Sequence, residues 1–186
     1  MNKKKSIIVV GGGHAGVEAA FASAKMGINV FLFVLDPLSI GRMSCNPSIG
    51  GLAKGHLVKE IDALGGLMGF VADISCLQFK TLNKSKGRAV WGPRAQVDKV
   101  VYSKTICSII KKTKNISIVS EEVLDIIISN NKATGVYTKN KNKFFADAVV
   151  ITTGTFLNGL IHIGNNNFPA GRLGEKPSCG LTDSIK

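Results

Sequence analysis

Short charge-free apolar runs alternate along this chain with stretches in which apolar residues recur every three or four positions, a pattern of strands interleaved with helices. Ile7 to Val10 is β-branched and uncharged, as a strand buried on both faces should be. Ala15, Ala19, Ala20, Ala22 and Ala24 then make a compact helix that Gly27 ends. A second strand follows over Asn29 to Val34. After a loop from Pro37 to Pro47, the spacing of Leu52, His56, Val58, Ile61 and Leu64 predicts a helix stopped by Gly65-Gly66. Ile74 to Leu82 reads as a strand, 84–94 as a loop, and Ala95 to Lys112 as a helix with Val97, Val101, Thr105 and Ile109 along one side. Ile116 to Val119 is a further strand. Val123 to Ser129, Ala133 to Thr138 and Phe144-Phe145 predict a three-stranded meander turning at Asn130-Asn131. Ala148 to Thr155 reads as a last buried strand ending in a small-residue turn. From Asn158 to Lys186 Gly, Pro and Asn recur without periodicity, so an irregular excursion is expected and no further strand.

Between the first strand and first helix lies Gly11-x-Gly13-x-x-Gly16. In a dinucleotide-binding βαβ unit the first glycine makes the tight turn, the second lets backbone approach a pyrophosphate, and the third lets the helix pack on the sheet. The N–H groups and positive dipole end of the helix would then face the phosphates. The acidic residue that bonds the adenosine ribose in such units should fall where Val34 stands, and Asp36 is two residues further on. Either Asp36 substitutes, or backbone and water hold the ribose.

The 186 residues, 45% of them hydrophobic, suit one globular domain with a sizeable core. No apolar run approaches the roughly 18 to 20 residues that span a bilayer, and only five residues precede the first strand, so no membrane partner and a cytoplasmic location are expected. Four cysteines, Cys45, Cys76, Cys107 and Cys179, form no CxxC pair, which argues against a disulfide framework or a zinc knuckle; no metal site is expected. Cys45 would sit just ahead of a helix N-terminus, where the dipole can acidify a thiol, and it is the candidate catalytic residue; a buried, unreactive cysteine is the alternative. The net charge of +12 invites a nucleic-acid partner, although a lysine-rich composition accompanied by Asn and Ile can arise from nucleotide bias alone. Lys84, Lys86, Arg88 and Arg94 flank the sole tryptophan, Trp91, in a loop that could clamp phosphate, stack on a base or anchor on the core.

Taken in order, Gly-Gly-Gly-His-Ala-Gly (11–16), Met-Ser-Cys-Asn-Pro-Ser-Ile-Gly-Gly (43–51) and Lys-Gly-His-Leu-Val-Lys-Glu-Ile-Asp-Ala-Leu-Gly-Gly (54–66) resemble the MnmG or GidA family. So do Thr-Thr-Gly-Thr-Phe-Leu-Asn-Gly (152–159) and Pro-Ala-Gly-Arg (169–172). The family is the FAD-binding large subunit of the complex that modifies the wobble uridine of tRNA. The resemblance implies an α/β fold: a Rossmann-like FAD-binding domain of the glutathione-reductase type, with a parallel sheet and a β-meander. It implies FAD held by Gly11, Gly12, Gly13, His14, Ala15 and Gly16, and by Val123 and Ser178. It also implies NADH and methylenetetrahydrofolate as co-substrates, tRNA and the GTPase subunit MnmE as partners, and a homodimer. The product would carry a carboxymethylaminomethyl-type group at C5 of the wobble uridine.

Arg88 departs from the family's usual Pro after Lys-Gly, and the chain is several times shorter than family members. It therefore reads as the N-terminal part of one FAD-binding domain, residues 1–186, with an excursion over 35–95 and an irregular stretch over 158–186. Two other readings stand beside it. A flavin disulfide reductase needs two thiols in the loop after the second strand, and only Cys45 is there. A non-catalytic FAD-binding fragment would bind nucleotide and turn nothing over.

Overall fold

A four-stranded parallel sheet divides the molecule in the computed structural model, which describes residues 4–43 and 46–185. β1 (Ser6–Val10) leads into α1 (His14–Lys25), which returns the chain to β2 (Asn29–Phe33), parallel to β1. The chain then leaves the sheet for β3 (Ser48–Gly50), α2 (Lys54–Ala63), α3 (Met68–Ile74), β4 (Cys76–Leu82) and β5 (Gly92–Val97). These strands form their own antiparallel sheet in the order β3-β5-β4. α4 (Lys99–Lys112) brings the chain back to β6 (Ile116–Val119) beside β2. The meander β7 (Val123–Ser129), β8 (Lys132–Thr138) and β9 (Lys143–Phe145) follows as expected, turning at Asn130 and Asn131, both at positive φ. β10 (Ala148–Ile151) then pairs with the far side of β1, giving the order β10-β1-β2-β6. A hairpin of β11 (Leu160–Ile163) and β12 (Asn166–Pro169) and a short α5 (Leu181–Ile185) complete the described chain.

Side chains alternate across a strand, so β1 serves two cores. Val9 joins Val30, Leu32, α1, α4 and the excursion on one face. Ile8 and Val10 join Phe33, Val123, Val136 and Leu181 on the other, under the meander and α5. Both faces of the sheet are thereby covered, which is why its strands read as unbroken apolar runs.

Five expectations need correction. The segment 95–97 is strand, not helix: Ala95 and Val97 pair with Phe79 and Cys76, and α4 begins only after Asp98. The buried side of α4 is Tyr102, Ile106 and Ile110, while Val101 is exposed. A second helix, α3, follows Gly65-Gly66. The stretch after Asn158 also contains two strands, although their residues are mostly exposed. The loop holding Cys45 leads into β3 rather than directly into a helix. Cys45 itself lies outside the described residues.

Candidate nucleotide site at the glycine turn

In the parallel sheet β1 is flanked by β2 on one side and β10 on the other, so the chain's progression reverses there. The C-terminal ends of the strands at such a switch point form the crevice in which open α/β sheets bind ligands. Gly11 and Thr152 sit at those ends. The Thr152 N–H donates to the carbonyl of Val10 at 2.8 Å, and Thr152 Oγ1 lies 2.9 Å from the same oxygen and 3.2 Å from that of Gly11.

The three glycines of the fingerprint have separate physical reasons. Gly11 has φ +112°, and a Cβ there would stand 2.4 Å from the Thr152 carbonyl oxygen. A Cβ on Gly16 would come within 1.8 Å of the Gly11 carbonyl, so this glycine lets α1 close onto the turn. Gly13 differs. It is the N-cap of α1 with ordinary extended backbone, φ −71° and ψ −175°, and a Cβ on it would meet nothing within 4 Å. The absent side chain leaves room in front of the helix N-terminus, where unpaired N–H groups favour an anion.

That room opens into a cavity of about 550 Å³. Of the residues proposed from sequence, Gly11, Gly12, Gly13, His14, Val123 and Ser178 line it. Ala15 is exposed on α1, and Gly16 is buried behind the turn; neither is among the lining residues. Ser178 is held by backbone on both sides, its N–H donating to Phe156 O at 2.8 Å and its carbonyl accepting from Asn158 N–H at 2.9 Å. Glu122 ties this segment to the meander, accepting from Cys179 N–H and pairing with Lys139 Nζ at 3.0 Å. Burial pushes the Glu122 carboxyl up, but hydrogen bonds from Lys139, Ser178 and Cys179 outweigh it and hold the group below its ordinary range.

His14 opens α1 with its ring 5.7 Å from that of Tyr102. Burial, with Lys54 nearby adding repulsion, lowers its pKa to about 4, so the imidazole is neutral at pH 7. Among the described residues neither His14 Nε2 nor the Tyr102 hydroxyl, both buried, has a hydrogen-bond partner.

Asp36 lines the cavity, but its Oδ1 accepts from Leu38 N–H at 2.8 Å and caps the 3₁₀ turn at Pro37–Ser39. Sequence reasoning missed a second acid here, Glu121, which accepts from Thr138 Oγ1 and Asn142 Nδ2. It also missed an ion-pair cluster among the lining residues. Glu175 Oε1 lies 2.7 Å from Arg42 Nη1 and 3.1 Å from Arg172 Nη1, and the Arg172 guanidinium stands 5.7 Å from the Phe156 ring centre. The only sequence signal for it was the scarcity of arginine. Trp91 does not reach the core: it is 42% exposed, and its Nε1 donates to the Lys84 carbonyl within the same loop.

A family model described as "Glucose inhibited division protein A" matches residues 6–186. The chain belongs to that family. The tRNA uridine 5-carboxymethylaminomethyl modification enzyme MnmG of Thermodesulfovibrio yellowstonii is 53% identical over 188 residues, covering 100% of this chain and 30% of the relative. The enzyme of that name from Aquifex aeolicus is 53% identical over 177 residues, 95% of this chain and 29% of its own. The solved structure of Aquifex aeolicus GidA superposes with TM-score 0.93 at 52% identity over 98% of this chain and 30% of that one. A GidA-related protein from Thermus thermophilus shares the fold alone, with TM-score 0.70 at 17% identity over 98% of this chain and 68% of its own. The fold is the Rossmann-type α/β fold of the GidA family, and the chain spans about 30% of the length of the relatives it matches. Among the described residues no helix is long and apolar enough to cross a membrane, and no group of His, Cys, Asp and Glu is arranged to hold a metal.

Proposed function

We propose that this chain is the N-terminal, FAD-binding part of an enzyme that modifies the wobble uridine of tRNA. The supporting observation is Gly13, the one fingerprint glycine whose missing Cβ faces open space, at the mouth of α1 and in the cavity. The pyrophosphate of FAD would lie against the N–H groups of the 11–14 turn. Asp36 or Glu121 would meet the adenosine ribose, with Val123 and Ser178 closing the far wall. FAD, when bound, supplies the redox chemistry; the residues described bind it, orient it and hold it against the sheet.

The names of the MnmG relatives support the reaction class. In the complete protein, the chain would act with NADH and methylenetetrahydrofolate, with tRNA as substrate and the GTPase MnmE as partner subunit. It would do so as a homodimer in the cytoplasm, with Cys45 as the candidate reactive thiol. The test is direct: titrate FAD into the chain, following flavin fluorescence, and compare Gly13→Ala. Alanine fits the backbone at this position, so the fold should persist while FAD binding weakens at least about tenfold. Equal affinity in the two proteins would remove FAD from this turn.

A further inference from the structure

Arg42 has no part in the fingerprint, yet the backbone ties it to the phosphate turn. The N–H of Gly41 donates to the Gly12 carbonyl at 2.9 Å, so the residue before Arg42 is bonded to the turn itself. Gly41 has φ +66°, and a Cβ on it would stand 2.5 Å from Ile106 Cγ2, so α4 pins the crossing from behind. Arg42 then lines the cavity, with its side chain partly exposed. Its Nη1 donates to Glu175 Oε1, while Nη2 and Nε have no acceptor among the described residues. Glu175 is itself held by Arg172. One carboxylate thus fixes one end of the Arg42 fork and leaves the rest presented.

A planar guanidinium with open N–H groups matches phosphate oxygens in a way a lone ammonium does not. The helix end supplies only about half a positive charge, whereas a pyrophosphate diester carries two negative ones. A further cation at the same turn answers the difference. On the nucleotide reading given above, we propose that Arg42 is a side-chain contact for the pyrophosphate of the dinucleotide, with Glu175 as the residue that positions it.

The roles separate by sign. Glu175 is negative, so by charge alone its removal should tighten an anionic ligand. If it orients Arg42, removal should weaken that ligand. ADP and adenosine serve as probes, since they share a base and ribose and differ in the diphosphate. Their affinities for the chain are measured by calorimetry at low and at raised salt. Arg42→Gln should weaken ADP about tenfold and leave adenosine unchanged, and Arg42→Lys should fall between. Glu175→Gln should weaken ADP several-fold, again sparing adenosine. The adenosine affinity and an unchanged melting curve report that each variant is folded. ADP binding indifferent to Arg42 overturns the phosphate contact, and tighter ADP binding by Glu175→Gln overturns the positioning role. If the unsubstituted chain binds neither FAD nor ADP, the nucleotide reading falls first and this inference with it.

Discussion

On the proposed nucleotide reading, Gly13 is a residue chosen for its ligand against its own local structure. Its extended backbone at the N-cap of α1 suits serine, whose hydroxyl would accept from the exposed N–H groups of the first turn. Gly13→Ser should therefore raise stability by a few tenths of a kcal/mol, read from denaturant midpoints, while FAD binding falls at least about tenfold. Both changes in the same direction would refute the assignment. His14 makes a pH prediction. Its pKa is about 4 when folded and near 6.5 when not, so protonation favours unfolding. The stabilisation is complete above about pH 6.5 and is lost as pH falls toward 4, on the order of 3 kcal/mol in all. In His14→Gln the stability profile over that window should be flatter than in the parent. The glycine turn was legible because two steric constraints, at Gly11 and Gly16, and an open N-cap at Gly13 fall within six residues. Arg42, Glu121 and Glu175 were not, because what unites them is a cavity wall assembled from three distant segments.

At the scale of elements, what the sequence showed depended on burial. The parallel strands and the meander could be read because buried positions select apolar, β-branched residues. β11 and β12 were invisible: their residues are mostly exposed and held by backbone pairing across Gly164, so no pattern was imposed on the side chains. α4 was misplaced for the opposite reason. Val100, Val101, Tyr102, Ile106, Ile109 and Ile110 form an apolar band wide enough to admit more than one buried side, and only packing selects Tyr102, Ile106 and Ile110. The missed signal was Asp98, whose carboxylate accepts from the N–H groups of Val100 at 2.8 Å and Val101 at 3.0 Å and starts the helix there. Asp98→Ala should cost about 1 kcal/mol, lowering the melting temperature by roughly 2–4 °C in a domain of this size. An unchanged melt would mean that the α4 start is held by its core contacts alone.

For the molecule as a whole, the sheet has β10 as an edge that pairs only with β1 among the described residues. An unpaired strand edge invites association, so the chain on its own should elute from gel filtration as concentration-dependent species. A single monomeric peak over a hundredfold dilution series would argue that the edge is protected. The exposed loop carrying Lys84 and Lys86 lies outside the nucleotide cavity, where it is free to meet phosphates. If tRNA binds there, replacing both lysines with glutamine should reduce the log–log salt slope by nearly 2 for duplex RNA, and by less for single strands. An unchanged slope would make that charge compositional. The chain by itself should leave tRNA unmodified when supplied with MnmE, NADH and methylenetetrahydrofolate, as mass spectrometry of the nucleosides would reveal. Finally, the glycine turn is near one end of the described chain, but the strand and threonine that brace it come at 148–152. On a ribosome making the protein from its first residue, the turn must wait for nearly all of this segment to emerge before its brace exists. If FAD binds as proposed, its capture cannot precede the emergence of β10, and nascent chains stalled before that strand should emerge colourless.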